Sequence, residues 1–159
     1  MLIACCSTNR SDKRARENSR SENMKFQGGC YCGTVRYEAN GEPMMRAECY
    51  CRECQYITGG ANVLVMAMPV DGFALIKGEV KGFTRDDIEN AVTREFCENC
   101  GTHLFTRAPG FKEGVIIKVG SMDDPSLFGK ADSANHVSDA LPHHRLPYDI
   151  PLHQKWMHS

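Results

Sequence analysis

Residues 28–37 read GGCYCGTVRY and place a Cys-x-Cys pair, flanked by glycines, directly before a stretch of alternating apolar and polar residues. Two further cysteine clusters follow, CYCREC at residues 49–54 and CENCG at residues 97–101. Zinc prefers four tetrahedral thiolate or imidazole ligands, and two cysteines on a tight turn can direct both sulfur atoms at one ion. Glycines beside such pairs supply the backbone freedom that the turn needs. The three motifs therefore predict metal binding.

A disulfide framework is the alternative use of the same cysteines, and an oxidising compartment would favour it. Residues 24–159 contain seven of the nine cysteines, which is an odd number. No export signal is visible, because residues 2–4 are the whole apolar stretch before Cys5. A chain of 159 residues can also build an ordinary core without covalent bridges. We therefore expect metal binding in a reducing compartment, the cytoplasm.

Seven thiolates divide into four plus three, which corresponds to one closed metal site and one site with an open position. Spacing alone leaves the assignment open, because the first pair could join either later cluster. Loop closure favours the pairing of the first and third clusters, since their shared ion would close a long loop. This set is Cys30, Cys32, Cys97 and Cys100. The remaining local triad, whose metal is better suited to exchange, is Cys49, Cys51 and Cys54.

The segments between the cysteine motifs are typical of a mainly β domain with antiparallel sheets. Short runs rich in β-branched and aromatic residues recur about every 8 to 15 residues, separated by Gly, Pro and acidic turns. Strands are expected at residues 34–37, 63–66, 73–76, 79–83, 92–96, 103–106 and 115–119. Helix is scarce: residues 51–58 could form one or two turns, and Asp124-Pro125 could begin another with the aspartate as cap.

Composition and charge exclude several classes of partner. The chain has 19 basic and 20 acidic residues, and its net charge of −1 argues against nucleic acid or an anionic membrane, since both require a dense basic face. The longest apolar run, residues 63–68, is far shorter than the roughly 20 residues of a membrane span. Residues 1–23 lack apolar periodicity, so we expect a disordered extension there and a single domain over residues 24–159.

The three motifs, in this order and spacing, resemble those of the glutathione-dependent formaldehyde-activating enzyme family, also called the centromere protein V type. The resemblance rests on residues 28–37, 49–59 and 96–104 and spans roughly residues 25 to 120. It implies a β-tent fold of packed antiparallel sheets with zinc knuckles and few short helices. It also implies two zinc ions. The structural ion would be held by Cys30, Cys32, Cys97 and Cys100, and the catalytic ion by Cys49, Cys51 and Cys54.

The chemistry implied by this resemblance is the formation and cleavage of a carbon–sulfur bond. Formaldehyde adds to the thiol of glutathione to give S-hydroxymethylglutathione, and the reverse direction is a lyase reaction. A thiol that entered the open position of a three-thiolate zinc would be deprotonated by the ion. The expected partners are therefore a small-molecule thiol and an aldehyde. The alternative function is a non-catalytic, zinc-binding interaction module, because a fold does not fix an activity.

Residues outside the cysteine set give weaker indications. Four polar residues around the middle cluster are interpreted as solvated surface rather than substrate contacts: Arg52, Gln55, Thr58 and Asn62. His103 is interpreted as a packed or hydrogen-bonded histidine rather than a ligand. Core packing beside the cysteine turns is expected for Tyr31, Tyr50 and Phe96. Loop positions are expected for the C-terminal His136, His143, His144, His153 and His158.

Overall fold

The computed structural model describes residues 23–156, so the expected N-terminal extension lies outside the described residues except at Asn23. The described strands, β1 to β11 in chain order, are Met24–Gly29, Arg36–Gly41, Met45–Cys49, Val63–Pro69, Phe73–Lys77, Lys81–Phe83, Thr93–Phe96, His103–Ala108, Phe111–Lys118, Ser133–Asn135 and Leu152–His153. The α-helix, α1, is Arg52–Thr58, and short 3₁₀ turns are Val70–Gly72, Val119–Ser121, Pro125–Phe128 and Val137–Asp139. The prediction of a mainly β fold is confirmed.

These strands form two sheets. The smaller sheet is antiparallel and has the order β1-β2-β5. The larger has the order β11-β10-β3-β4-β9-β8-β7-β6. Its pairings are antiparallel except for the two made by β10, which runs parallel to both β3 and β11. The antiparallel prediction is thus confirmed for most pairings, and the two parallel ones were not expected.

The main core lies between the two sheets. Strand alternation gives the smaller sheet one apolar face, on which Phe26 of β1 and Tyr37 of β2 are buried. Phe105 of β8 packs against Tyr37 with 6.3 Å between ring centroids and against Phe73 with 4.8 Å. Removal of this apolar surface from water stabilises the fold by about 25 cal/mol per Å².

The central strand β4 is buried on both faces, which explains its unbroken apolar sequence. Met66 and Met68 point into the main core. Val63 and Val65 point to the opposite face and pack in a second apolar cluster. That second cluster includes the buried cysteines Cys49, Cys51 and Cys54.

Each of the seven predicted strands overlaps an observed one, but β2 begins at Arg36 rather than Thr34. The preceding residues belong to the first cysteine turn, in which Gly33 N–H donates to the carbonyl of Cys30 at 3.0 Å. This turn bends the chain before the strand can start. Sequence analysis did not predict β1, β3, β10 and β11.

Both helical predictions are confirmed in outline. Cys51 is the N-cap of α1, and its Sγ accepts a hydrogen bond from Cys54 N–H at 3.4 Å. The second segment is a 3₁₀ turn rather than an α-helix. Asp124 caps it by accepting a hydrogen bond from Ser126 N–H at 3.0 Å.

Candidate metal centres

Four cysteines from two distant parts of the chain meet in one cluster. Their Sγ atoms all lie within 4.8 Å of one another, and they are Cys30, Cys32, Cys97 and Cys100. The Sγ atom of Cys32 lies 3.4 Å from that of Cys30 and 3.8 Å from that of Cys97. In a tetrahedron with zinc–sulfur bonds of about 2.3 Å, sulfur atoms are about 3.8 Å apart. The four residues therefore fit a zinc ion.

Glycines at positive φ form the turns of this cluster. Gly33 has φ of 72° and Gly101 has φ of 73°, in the left-handed region that strains other residues. Gly33 N–H donates to Cys30, and Gly101 N–H donates to the carbonyl of Cys97 at 2.8 Å. Each hydrogen bond closes one turn around its cysteine pair.

The thiols of the four-cysteine cluster differ in exposure and acidity. Cys30 and Cys97 are buried, whereas Cys32 and Cys100 are exposed. Hydrogen bonding with the side chains of Thr34 and Asn99 lowers the pKa of Cys32 to about 5. Burial raises the pKa of Cys97 to about 11. Because ionisation of a buried thiol is unfavourable without a nearby cation, the complete set suits a metal ion.

Cys49, Cys51 and Cys54 form the second cluster, which we call the triad. Their Sγ atoms lie within 4.8 Å of one another, and all three residues are buried. Cys49 ends β3, Cys51 caps α1, and Cys54 lies in the first turn of α1. Among residues 23–156, no histidine or carboxylate joins the triad. The chain thus offers three ligand atoms, and a fourth can come from a substrate.

The acidity of the triad also suits a cation. Hydrogen bonds from the Cys49 and Cys51 thiols lower the pKa of Cys54 to about 3. The same contacts, together with burial, raise the pKa of Cys49 far above its usual range. The triad can therefore carry one negative charge, whereas ionisation of all three thiols is strongly opposed by charge repulsion and desolvation. A divalent cation would remove that opposition, so the donor set fits zinc.

Gln55 is buried and holds the helix that carries Cys54, so its interpretation as solvated surface was wrong. Its side chain is 2% exposed. Its Nε2 donates to the carbonyl of Tyr50 at 2.7 Å and to the carbonyl of Asp139 at 2.8 Å. Gln55 therefore fastens α1 both to the residue after β3 and to the C-terminal segment. A polar residue inside a short helix gave no sequence signal of this burial.

The other three polar residues near the triad have separate local roles. Arg52 is exposed and donates to the side-chain oxygen of Gln55. Thr58 is exposed, and its hydroxyl donates to the carbonyls of Cys54 and Ala61 at 3.1 and 2.5 Å. Asn62 is half-buried and donates to the Glu48 carboxylate at 3.2 Å. These contacts fix the loop that leaves α1.

An open cleft of about 420 Å³ lies between the loop after α1 and the turn after Cys100. Its lining includes Thr58, Asn62, Thr102, His103 and Lys118. Lys118 ends β9, is 9% exposed, and lies within electrostatic range of Cys54 and Cys49. Sequence analysis did not identify Lys118. Strand alternation in the run VIIKV, which puts this lysine on the face of Ile116, was the signal that could have found it.

His103 forms part of the cleft wall as a packed histidine. Its ring lies 5.5 Å from that of Phe96, and its buried Nδ1 has no hydrogen-bond partner among the described residues. Burial, followed by the charges of Lys118 and Arg94, lowers the pKa of His103. Both effects favour the uncharged form of the imidazole.

Of the three aromatic residues expected to pack in the core beside the cysteine turns, one is fully buried. Tyr50 is 1% exposed, and its hydroxyl donates to Glu48 at 2.6 Å. Phe96 is half-buried. Tyr31 is 95% exposed, because it lies at the tip of the first cysteine turn.

The described C-terminal histidines lie in loops, apart from His153 in the short strand β11. His143 and His144 both place Nε2 near the carbonyl of Gly60, at 3.3 and 2.7 Å. His136 adopts positive φ just before a 3₁₀ turn. The position expected for His158 lies outside the described residues.

No helix within residues 23–156 has the length and apolar character needed to span a membrane.

Comparisons with known proteins agree with this architecture. The family model of the glutathione-dependent formaldehyde-activating enzyme matches residues 25–137. No curated protein matches the sequence. The crystal structure of a Rhodobacter sphaeroides protein, a structural genomics target, has a similar fold with a TM-score of 0.53 and 17% identity, covering 66% of this chain and 96% of that one. Because the family model covers most of the chain, this protein belongs to the glutathione-dependent formaldehyde-activating enzyme family.

Proposed function

We propose that the chain is a zinc-dependent carbon–sulfur lyase that adds a small thiol to an aldehyde or cleaves the adduct. The observation that carries this proposal is the three-cysteine triad near an open cleft. A protein with a purely structural need for zinc requires the closed four-cysteine site alone. Family membership supports glutathione and formaldehyde as the substrate pair.

In this proposal the two clusters have different roles. The structural zinc would be held by Cys30, Cys32, Cys97 and Cys100, and the catalytic zinc by Cys49, Cys51 and Cys54. Zinc, when bound, lowers the pKa of a coordinated thiol and so supplies a thiolate near neutral pH. The triad cysteines are ligands and are not themselves nucleophiles.

The protein contributes position and charge to this reaction. Gln55 holds α1, and with it Cys54, against two backbone carbonyls. Lys118 is a buried cation near the triad and favours negative charge on sulfur. The neighbouring cleft has room for a small thiol and an aldehyde.

The proposed reaction is a balanced addition across a carbonyl group. The substrate sulfur forms a bond to the aldehyde carbon while the carbonyl π electrons move to oxygen. The proton lost from the thiol ends on that oxygen, so the product is an S-hydroxyalkyl thioether. In the reverse direction, the hydroxyl loses its proton, the carbonyl re-forms, and the carbon–sulfur bond breaks.

The same proposal includes the cellular setting and the fold type. All seven cysteines of the described chain are free thiols, which a reducing compartment preserves, so we place the protein in the cytoplasm. We also assign the packed sheets to the β-tent type on the basis of the family.

Zinc analysis combined with exchange spectroscopy tests this function. We expect two zinc ions per chain and faster interconversion of glutathione, formaldehyde and S-hydroxymethylglutathione at equilibrium, measured by NMR exchange spectroscopy. Cys54→Ser protein provides the matched control for general protein effects. If wild-type protein with both ions bound leaves the exchange rate unchanged across a panel of thiols and aldehydes, the lyase proposal is wrong and the interaction module replaces it.

A further inference from the structure

Two basic residues near the triad have no acidic partner in the described part of the chain. Neither Lys118 nor Arg94 forms an ion pair with an aspartate or glutamate among residues 23–156. Lys118 is buried and Arg94 is half-buried. Lys118 is the direct strand partner of Val65, which packs in the cluster that contains the triad, and Arg94 lies close enough to Lys118 for their charges to interact. A buried cation without a counter-ion is unfavourable, so an anion bound beside Lys118 and Arg94 would stabilise both side chains.

Strand register places these cations on one face of the larger sheet. Arg94 of β7 is the direct partner of Thr106 on β8, and Thr106 is the direct partner of Ile116 on β9. Lys118 lies two residues after Ile116 and therefore projects to the same side. Ile116 packs against the apolar cluster that contains the triad. The row from Arg94 to Lys118 thus runs across the sheet toward the three cysteines.

Two polar atoms in the same region lack partners. The hydroxyl of Thr106 and Nδ1 of His103 are both buried, and neither has a hydrogen-bond partner in the described chain. His103 lines the same cleft as Lys118, and the charges of Lys118 and Arg94 both act on its ring. Buried polar groups are nearly always hydrogen-bonded, and two unsatisfied ones beside two cations indicate a missing oxygen ligand.

We propose that Lys118 and Arg94 bind a carboxylate group of the thiol substrate, with Thr106 and His103 as hydrogen-bond donors. This inference rests on the proposed function for the identity of the substrate. Three thiolates around one divalent ion carry a net charge of about −1, so while the fourth position holds a neutral thiol or thioether the two cations exceed that charge and can accept a further anion. The site would select acidic thiols over neutral thiols of the same size.

Binding of a thioether separates the carboxylate site from the metal chemistry. S-methylglutathione retains both carboxylates but has no ionisable thiol, and its diethyl ester differs in charge. We expect the zinc-loaded wild-type protein to bind the acid at least ten-fold more tightly than the ester in calorimetric titrations. We expect Lys118→Met and Arg94→Met each to reduce this preference to less than three-fold, because each removes one cation.

Lys112→Met provides the matched control, since Lys112 lies on the same strand, is exposed, and is outside the proposed site. It should retain the wild-type preference. Zinc content and melting temperature establish that each variant is folded, and Arg94→Met tests the site if Lys118→Met does not fold. Equal binding of acid and ester by the wild type, or an undiminished preference in folded Lys118→Met and Arg94→Met proteins, would overturn the carboxylate site.

Binding and exchange measurements on the same protein distinguish the carboxylate site from the lyase function. If the protein binds the acid selectively but does not accelerate adduct exchange, the carboxylate site is supported and the lyase function is wrong. If it accelerates exchange equally for glutathione and glutathione diethyl ester and binds the two thioethers equally, the lyase function is supported and the carboxylate site is wrong.

Discussion

The side-chain amide of Gln55 donates to the backbone carbonyl of Asp139 at 2.8 Å, across 84 positions of the chain. The same nitrogen donates to the carbonyl of Tyr50 at 2.7 Å. Through these hydrogen bonds, the helix that carries Cys54 is held between the end of β3 and the C-terminal segment. The geometry of the triad therefore depends on residues far from it in sequence.

Replacement of Gln55 should destabilise the protein without altering a cysteine. Gln55→Ala leaves the buried carbonyl of Tyr50 and the partly buried carbonyl of Asp139 without their donor, so we expect a loss of about 2–4 kcal/mol in the free energy of unfolding. Urea denaturation measures this loss, and zinc analysis shows whether the triad still binds metal. A loss below 0.5 kcal/mol, roughly the scale of an ordinary surface substitution, would show that the two hydrogen bonds contribute little.

Gln55→Glu adds a pH dependence of known sign. One oxygen of its buried carboxylate would face two carbonyl oxygens and the other would meet the exposed Arg52; because burial and the carbonyls outweigh this solvent-screened cation, the pKa of the new carboxyl group in the folded protein would rise above the value in the unfolded chain. The variant should therefore be least stable at high pH and recover as the pH falls and the carboxyl group becomes a donor. Comparison with Gln55→Ala at each pH removes effects common to both variants. A constant difference from pH 5 to pH 8 would contradict the expected pKa shift.

Loss of one ligand of the four-cysteine cluster should prevent folding. Structural zinc sites contribute roughly 10 to 16 kcal/mol of apparent binding free energy, which appears as folding free energy. We expect Cys97→Ser to be insoluble or to lack a cooperative thermal transition. Cys6→Ser makes the same chemical change at a cysteine of the expected N-terminal extension, and we expect this variant to behave as wild type. An unchanged melting temperature for Cys97→Ser would disprove the structural role.

Loss of one triad ligand should leave a folded but inactive protein. The triad spans six residues of sequence and closes no long loop, so its metal contributes less to folding. We expect Cys54→Ser to keep one zinc ion and a cooperative transition while thiol-adduct exchange falls by at least about a hundred-fold. Mild chelation of the wild type should likewise remove one ion first. Retained activity with one bound ion would contradict the assignment.

Gly28 should tolerate no side chain, because a Cβ atom there would overlap the Tyr37 hydroxyl and the carbonyl of Ser121. The Tyr37 hydroxyl is also within 2.9 Å of the Ser121 hydroxyl, so it cannot move freely. We expect Gly28→Ala to cost about 1–3 kcal/mol in unfolding free energy. Gly110→Ala is the control, since nothing lies within 4 Å of its added Cβ. Equal stability of both variants would show that β1 can shift at little cost.

The Arg36–Asp123 ion pair should contribute modestly and lose its effect in acid. Hydrogen bonding to Arg36 lowers the pKa of Asp123 below its usual range. A lowered pKa in the folded state gives stability above the unfolded value of about 3.9 and loses it as the pH falls below that value. Because the pair is partly exposed, Asp123→Asn should cost no more than about 1 kcal/mol at pH 7. The wild-type advantage over this variant should shrink as the pH falls below about 3.9 and disappear below the lowered pKa of Asp123 in the folded protein, as measured by chemical denaturation at each pH.

Local patterns in the sequence were sufficient for much of the fold and for both cysteine clusters. Apolar alternation marked seven strands, and cysteine spacing marked the three turns. The strand β3 was missed because MRAEC has no β-branched residue and two charged ones. The strand β10, Ser-Ala-Asn, was missed because its small and polar residues are buried only through its parallel pairing with β3.

Residues of the cleft were harder to identify than the metal ligands. The position of Lys118 can be recognised only after its strand is paired with β4 and β8. This pairing buries the lysine beside the triad. The proposed roles of Arg94 and Thr106 likewise depend on the cross-strand register and not on their spacing along the chain. Alternation along residues 115–119 shows which face Lys118 shares with Ile116, but only the long-range pairing of the strands shows that this face is buried beside the cysteines.

The parallel pairing of β10 with β3 also sets an order of assembly during synthesis. A hairpin such as β3–β4 can close as soon as its own residues leave the ribosome, whereas β10 must wait for Ser133–Asn135. All three triad cysteines lie between the start of β3 and the start of β4, so they are available for metal capture before Cys97 has been translated. The triad is thus complete on a nascent chain that does not yet include Asp139, whose carbonyl later accepts a hydrogen bond from Gln55.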